Sequence, residues 1–173
     1  MSIDLFPMRD EPEGGYTGCV NLQDTIAATV FLCHREAALR EAFYVNKQTD
    51  GNKRSALRDA SQLLSAANIA HALVGGLAVG VHSGIPRATL DVDLAVASAH
   101  DRKKLIALLV ANGFRLTGEF AHSLNFRHAS GEPVQLVIDP SFDASISRAQ
   151  GMDLEGVAIP VVTKADLIAM KGR

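Results

Sequence analysis

The sequence is poor in cysteine. Only Cys19 and Cys33 occur among its 173 residues. Two thiols are too few for a disulfide framework, and their spacing is not that of a zinc knuckle. We therefore expect both cysteines to be reduced and structural.

Targeting signals and charge excess are also missing. The N-terminus carries acids and prolines where a signal peptide needs a basic start and an apolar run. No apolar stretch is long enough to cross a membrane. The formal net charge is -2, and no run of Lys and Arg marks a nucleic-acid surface. We expect a cytoplasmic protein without membrane association, and the composition neither requires nor excludes an RNA partner.

The sequence contains enough apolar residues to form one hydrophobic core. With 47% hydrophobic residues, a chain of 173 residues can bury one core and is too short to promise two. We expect the α/β (α+β) class, with a mixed sheet flanked by helices. Residues 1–50 are predicted to form an N-terminal arm and a helix over about 22–44, and residues 51–173 form the core.

Apolar periodicity predicts the order of elements in that core. A turn is expected over 46–52. The predicted helices lie at 55–67, from 77, at 100–112, at 143–149 and from about 164. The predicted strands lie at 69–74, 89–97, 123–128, 134–139 and 157–162, the third and fourth forming a hairpin.

Two carboxylates lie two residues apart on one predicted strand. Side chains at this spacing point to the same face, so Asp91 and Asp93 should project together with Val92 on the opposite face. Their neighbours are apolar and should be buried, and buried carboxylates are rarely left unpaired. A divalent cation is the simplest partner.

A third carboxylate, Asp139, ends the predicted strand 134–139. If that strand lies beside the strand of Asp91, the three hard oxygen ligands favour Mg²⁺ or Mn²⁺ over zinc. Two such ions about 4 Å apart could activate a hydroxyl and stabilise a leaving pyrophosphate. The alternative is that Asp139 caps the short helix that follows.

Gly75 and Gly76 lie between a predicted strand and a predicted helix. Backbone N–H groups at such a junction can approach a phosphate closely. Arg87 is near enough in sequence to Asp91 to reach the same phosphates, and Thr89 should point to their side of the strand. A plain tight turn is the alternative for the two glycines.

Other catalytic patterns are not supported. The glycines do not form a dinucleotide fingerprint, no Gly-Lys-Ser/Thr follows them, and Ser83 has no nucleophile-elbow context. The histidines lack the spacing of metal ligands and are expected in the core or on the surface: His71, His82, His122 and His128.

The combination of these motifs resembles a known signature. Val74-Gly75-Gly76, then fourteen residues, then Asp91-Val92-Asp93-Leu94 is similar to the signature of the DNA-polymerase-beta-like nucleotidyltransferases. The run from Arg87 to Asp93 most resembles the abortive-infection-type toxin nucleotidyltransferases and their uncharacterised bacterial relatives. The resemblance covers residues 69–171.

This resemblance implies a metal-dependent transfer of a nucleoside monophosphate from a nucleoside triphosphate to a hydroxyl. Asp91 and Asp93 would bind Mg²⁺ or Mn²⁺, and Asp139 would ligate one ion and help activate the acceptor. It further implies a toxin-like role, with RNA such as a tRNA end as acceptor and an antitoxin as partner. A protein hydroxyl or a small molecule is the enzymatic alternative, and a nucleotide-binding or partner-binding pseudoenzyme is the non-enzymatic one.

The sequence departs from this family in two respects. The spacer after Gly76 is at the long end of the family's range, so the loop of Arg87 is expected to be placed differently. Many relatives continue beyond the position of Arg173, so the core is expected to be truncated at its C-terminus. Lys164 or Lys171 is the candidate for a cation that contacts the triphosphate.

Overall fold

The computed structural model describes residues 50–84, 89–154 and 156–171. It contains helices α1 (Asp50–Ala66), α2 (Gly75–Ser83), α3 (Arg102–Ala111), α4 (Asp143–Ser147) and α5 (Lys164–Lys171). Its strands are β1 (His71–Leu73), β2 (Val92–Val96), β3 (Arg115–Phe120), β4 (Ser123–Arg127), β5 (Pro133–Val137), β6 (Gln150–Leu154) and β7 (Val157–Val161). The predicted α/β class is confirmed. The predicted N-terminal helix, both cysteines and Arg87 lie outside the described residues.

The described strands form one mixed sheet of seven, in the order β3-β4-β5-β2-β1-β7-β6. β2 lies between β5, to which it is parallel, and β1, to which it is antiparallel. β1 is also parallel to β7, and the predicted hairpin of β4 and β5 is confirmed. Since β2 has neighbours on both sides, residues on this strand are held in the middle of the sheet.

The helices pack an apolar face on this sheet. In α1, Ala56, Leu57, Ala60 and Leu64 recur at helical spacing and are fully buried. The predicted turn at 46–52 is wrong at its end, because α1 already begins at Asp50. The pair Asp50-Gly51, which suggested a turn, is tolerated in the first turn of α1. The backbone N–H groups of a first helical turn have no intrahelical partner in any case. No described helix is long and apolar enough to span a bilayer.

Two strands were not expected from the sequence, and both lie at the edges of the sheet. β3 is largely exposed and has a register shift between Leu116 and Gly118, so it lacks regular apolar alternation. β6 contains Gly151 and Asp153, which are poor strand formers. Pairing with the neighbouring hairpin strand, rather than local propensity, therefore determines these two strands.

Candidate functional site

Asp93 lies near the centre of the sheet, on β2. The backbone N–H of Val74 donates to the backbone oxygen of Asp93 at 3.0 Å. This bond ties the end of β1 to Asp93, because Val74 directly follows that strand. The two glycines that begin α2 therefore lie next to the Asp93 side chain.

Gly75 packs directly against that carboxyl group. Its φ is +67°, a left-handed conformation that residues with a Cβ rarely adopt. A Cβ on Gly75 would lie 2.9 Å from Cγ of Asp93, closer than real side chains allow. Val74, the N-cap of α2, provides no side-chain cap, so the start of this helix is built from glycine backbone. The predicted strand–glycine–helix junction is confirmed.

Asp91 and Thr89 lie just before β2. The predicted strand 89–97 is wrong at its start, because β2 begins at Val92 and Asp91 lies in a bend. The Thr89 hydroxyl contacts Oδ1 and the backbone oxygen of Asp91, each at 3.3 Å. A Cβ on Gly76 would lie 3.0 Å from Cβ of Thr89. Both glycines thus make room for residues of the acidic segment.

The two carboxylates interact. Burial, followed by the negative charge of Asp91, raises the pKa of Asp93 to about 6. Within 50–84, 89–154 and 156–171, no cationic side chain forms an ion pair with either carboxylate. Two adjacent carboxylates without a described counter-ion, one of them half-buried, fit a bound cation.

Asp139 does not join this pair, and the predicted three-carboxylate site is wrong. β2 and β5 are parallel neighbours, as that prediction required, but their register places Gln135 beside Asp93 and Val137 beside Ala95. Asp139 lies four residues beyond Gln135, which is about 13 Å along an extended strand. In the described part of the chain, no group of three or more His, Cys, Asp or Glu could hold a metal ion.

Asp139 instead has a structural role. It caps a 3₁₀ turn at Pro140–Phe142, and its Oδ1 accepts from the backbone N–H of Ser141 at 2.8 Å. Its Oδ2 lies 3.2 Å from Nδ1 of His122. The alternative reading of Asp139 as a cap is therefore confirmed.

Gln135 is a site residue that the sequence did not reveal. It lines a pocket of about 250 Å³ together with Gly75 and Asp93, and α5 contributes Leu167 and Met170 to the lining. Its amide Nε2 donates to Oδ1 of Asn125 at 3.2 Å. Only the register between β2 and β5 brings Gln135 to Asp93, and that register has no local sequence signal.

Lys53 is a second such residue. Its ammonium group, on α1, donates to the backbone oxygen of Thr89. This contact holds the segment before Asp91 against α1. The two residues are 36 positions apart, so no motif in the sequence connects them.

The remaining predicted residues lie elsewhere. Lys164 lines a neighbouring groove of about 210 Å³ with His82 and Ser83, and the side chain of Lys171 lies outside the described part of the chain. His71 is buried and lies 2.8 Å from the Ser61 hydroxyl. Nδ1 of His128 lies 2.8 Å from the Ser130 hydroxyl.

No protein-family model matches the sequence, and no curated protein matches it. Several solved structures resemble the chain, among them the following two. The first is an antigenic nucleotidyltransferase-like protein from Paracoccidioides brasiliensis, with a TM-score of 0.51 and 23% identity over 70% of this chain and 65% of that one. The chain shares its fold with this nucleotidyltransferase-like protein. The second is the lincomycin-bound lincosamide antibiotic adenylyltransferase LnuA, with a TM-score of 0.49 and 16% identity over 62% of this chain and 78% of that one.

In this chain, Asp93, the glycine junction and the pocket lie together. The chain spans 65% of the length of the Paracoccidioides protein, and the likeness concerns the fold. The contacts of Asp91, Asp93, Gly75 and Gly76 define the candidate site.

Proposed function

We propose that the protein transfers a nucleoside monophosphate from a nucleoside triphosphate to a hydroxyl group, with Mg²⁺ or Mn²⁺ held by Asp91 and Asp93. The observation that carries this proposal is the acidic pair packed against a glycine-built helix start. Anionic oxygens that bind a cation lie there beside backbone N–H groups that bind anions. A metal–triphosphate complex carries both kinds of group.

Each residue of the site then has a chemical role. The backbone N–H groups of Gly75 and Gly76, at the N-terminus of α2, contact a phosphate of the nucleotide. Thr89 holds Asp91 through its hydroxyl, and Lys53 holds Thr89. When bound, the divalent ion supplies charge neutralisation at the reacting phosphate. Arg87 is assigned to the triphosphate through its place in the sequence.

We propose RNA, and in particular a tRNA end, as the acceptor of a cytoplasmic toxin-like enzyme with an antitoxin partner. The support for this is the similarity of Arg87-x-Thr89-x-Asp91-x-Asp93 to toxin nucleotidyltransferases. A second candidate is a nucleotide-binding protein without transfer activity. The position of Asp139, engaged as a cap away from Asp93, favours this candidate because it removes the expected activator of the acceptor.

A label-transfer assay tests the proposal. The protein is incubated with each α-³²P-labelled nucleoside triphosphate, Mg²⁺ and total RNA. We expect label to appear in RNA with wild type and with Asp139→Ala, and to be lost with Asp93→Asn. Label transfer that survives Asp93→Asn would contradict the assigned site, and binding without transfer by wild type would select the second candidate.

A further inference from the structure

Gln135 occupies the position beside Asp93 on the neighbouring strand. The two residues are partners in the parallel pairing of β2 and β5. Paired residues on adjacent strands are about 5 Å apart and their side chains share a face of the sheet. Both line the same pocket, beside Gly75. Gln135 is thus the β5 residue in register with the acidic pair.

The Gln135 side chain is neutral and oriented. Its Nε2 donates to Oδ1 of Asn125. The other polar atom of the amide, Oε1, is the one that can serve as a ligand to a cation. An amide oxygen is a suitable ligand for a hard cation, but it adds no negative charge. The described part of the site therefore offers two carboxylates and one amide.

The number of carboxylates bears on the number of ions. Two divalent ions at the separation of a two-metal site, about 4 Å, repel each other strongly and need shared anionic ligands. The triphosphate supplies anionic oxygens to the ion that accompanies it, so the carboxylates of the protein decide whether a second ion is held. Among the described residues, Asp91 and Asp93 are the two carboxylates assigned to the site. Asp139, the first acidic residue after β5, lies about 13 Å beyond the register position of Asp93 and caps the 3₁₀ turn.

We infer that Gln135 limits this site to one divalent ion, bound together with the triphosphate, and that a carboxylate at position 135 creates a second ion site. The inference rests on the proposed function, because it concerns the ions that accompany the nucleotide. It makes residue 135 the determinant of metal stoichiometry.

Counting bound Mn²⁺ by electron paramagnetic resonance tests this inference without any turnover. The full chain is titrated with Mn²⁺ in the presence of α,β-methylene analogues of ATP, GTP, CTP and UTP. Four proteins are compared: wild type, Gln135→Glu, Gln135→Asn and Gln135→Asp. Glu has the same side-chain length as Gln, so Gln135→Glu differs from wild type only by a negative charge. Gln135→Asp differs from Gln135→Asn in the same way, with a shorter side chain.

We expect one nucleotide-dependent Mn²⁺ per chain for wild type and Gln135→Asn, and two for Gln135→Glu and Gln135→Asp. Circular dichroism verifies that each variant is folded. Two ions in wild type, or one ion in both folded acidic variants, would overturn the inference and leave the proposed function standing. No nucleotide-dependent ion in folded wild type would overturn both.

Discussion

At the residue scale, Asp93 is held where its charge is unfavourable. Its carboxyl group is half-buried, lies against Gly75 and is near Asp91. These surroundings raise its pKa to about 6, so the folded protein binds a proton more tightly than the unfolded chain does. Without a cation, the ionised Asp93 therefore lowers stability at neutral pH.

Asp93→Asn should accordingly stabilise the metal-free protein. Because the folded pKa is raised, the stability of wild type should increase as the pH falls from 7 through 6. Removing the charge should raise the free energy of unfolding at pH 7 by about 2 kcal/mol, and the difference should shrink at pH 5. Urea denaturation in EDTA measures both values.

Asp139→Ala serves as the control for this prediction. Asp139 is a capping residue, so its loss should lower the free energy of unfolding by about 1 kcal/mol. The two substitutions should therefore act in opposite directions. A destabilising Asp93→Asn would contradict the electrostatic account of the site.

At the scale of elements, the junction of β1 and α2 forms the site, and Gly75→Ala should disrupt it. The substitution forces a Cβ into the left-handed region and into contact with the Asp93 carboxyl group. Gly84, at the other end of α2, has φ +68°, and no atom of the described residues lies within 4 Å of a Cβ there. Gly84→Ala is thus a matched control with the same backbone strain and no steric contact with the described part of the chain.

We expect Gly84→Ala to lower the free energy of unfolding by about 1 kcal/mol, the cost of the left-handed backbone alone. Gly75→Ala should lower it by at least twice that amount and abolish nucleotide binding, which Gly84→Ala retains. Chemical denaturation and nucleotide titration of the two variants measure this contrast. Equal effects of the two substitutions on stability and on nucleotide binding would mean that the close contact of Gly75 with Asp93 is not needed for binding.

Elements also show how far the sequence could predict the structure. The strand–glycine–helix junction at Gly75, the central strands and the hairpin all follow from local periodicity and turn residues. The third carboxylate was misplaced because pairing register is a tertiary property: it places Gln135, not Asp139, beside Asp93. Lys53 was missed for the same reason, since its contact with Thr89 joins α1 to a distant segment.

At the scale of the whole molecule, the described chain places its acidic pair in the middle of a seven-stranded sheet. Strands on both sides of β2 fix Asp93, and α5 lines part of the pocket beside it. The fold thus presents an acidic site next to a helix start. Its central predicted property is that a nucleoside triphosphate binds there only together with a divalent ion.

Equilibrium binding of each labelled nucleoside triphosphate, with Mg²⁺ and with EDTA, tests this property most directly. Wild type is compared with a variant carrying Asp91→Ala and Asp93→Ala, and with Asp139→Ala as the acidic control outside the site. We predict Mg²⁺-dependent binding by wild type and Asp139→Ala, and its loss in the double variant. Unchanged binding by the double variant, or no binding by folded wild type, would contradict the account.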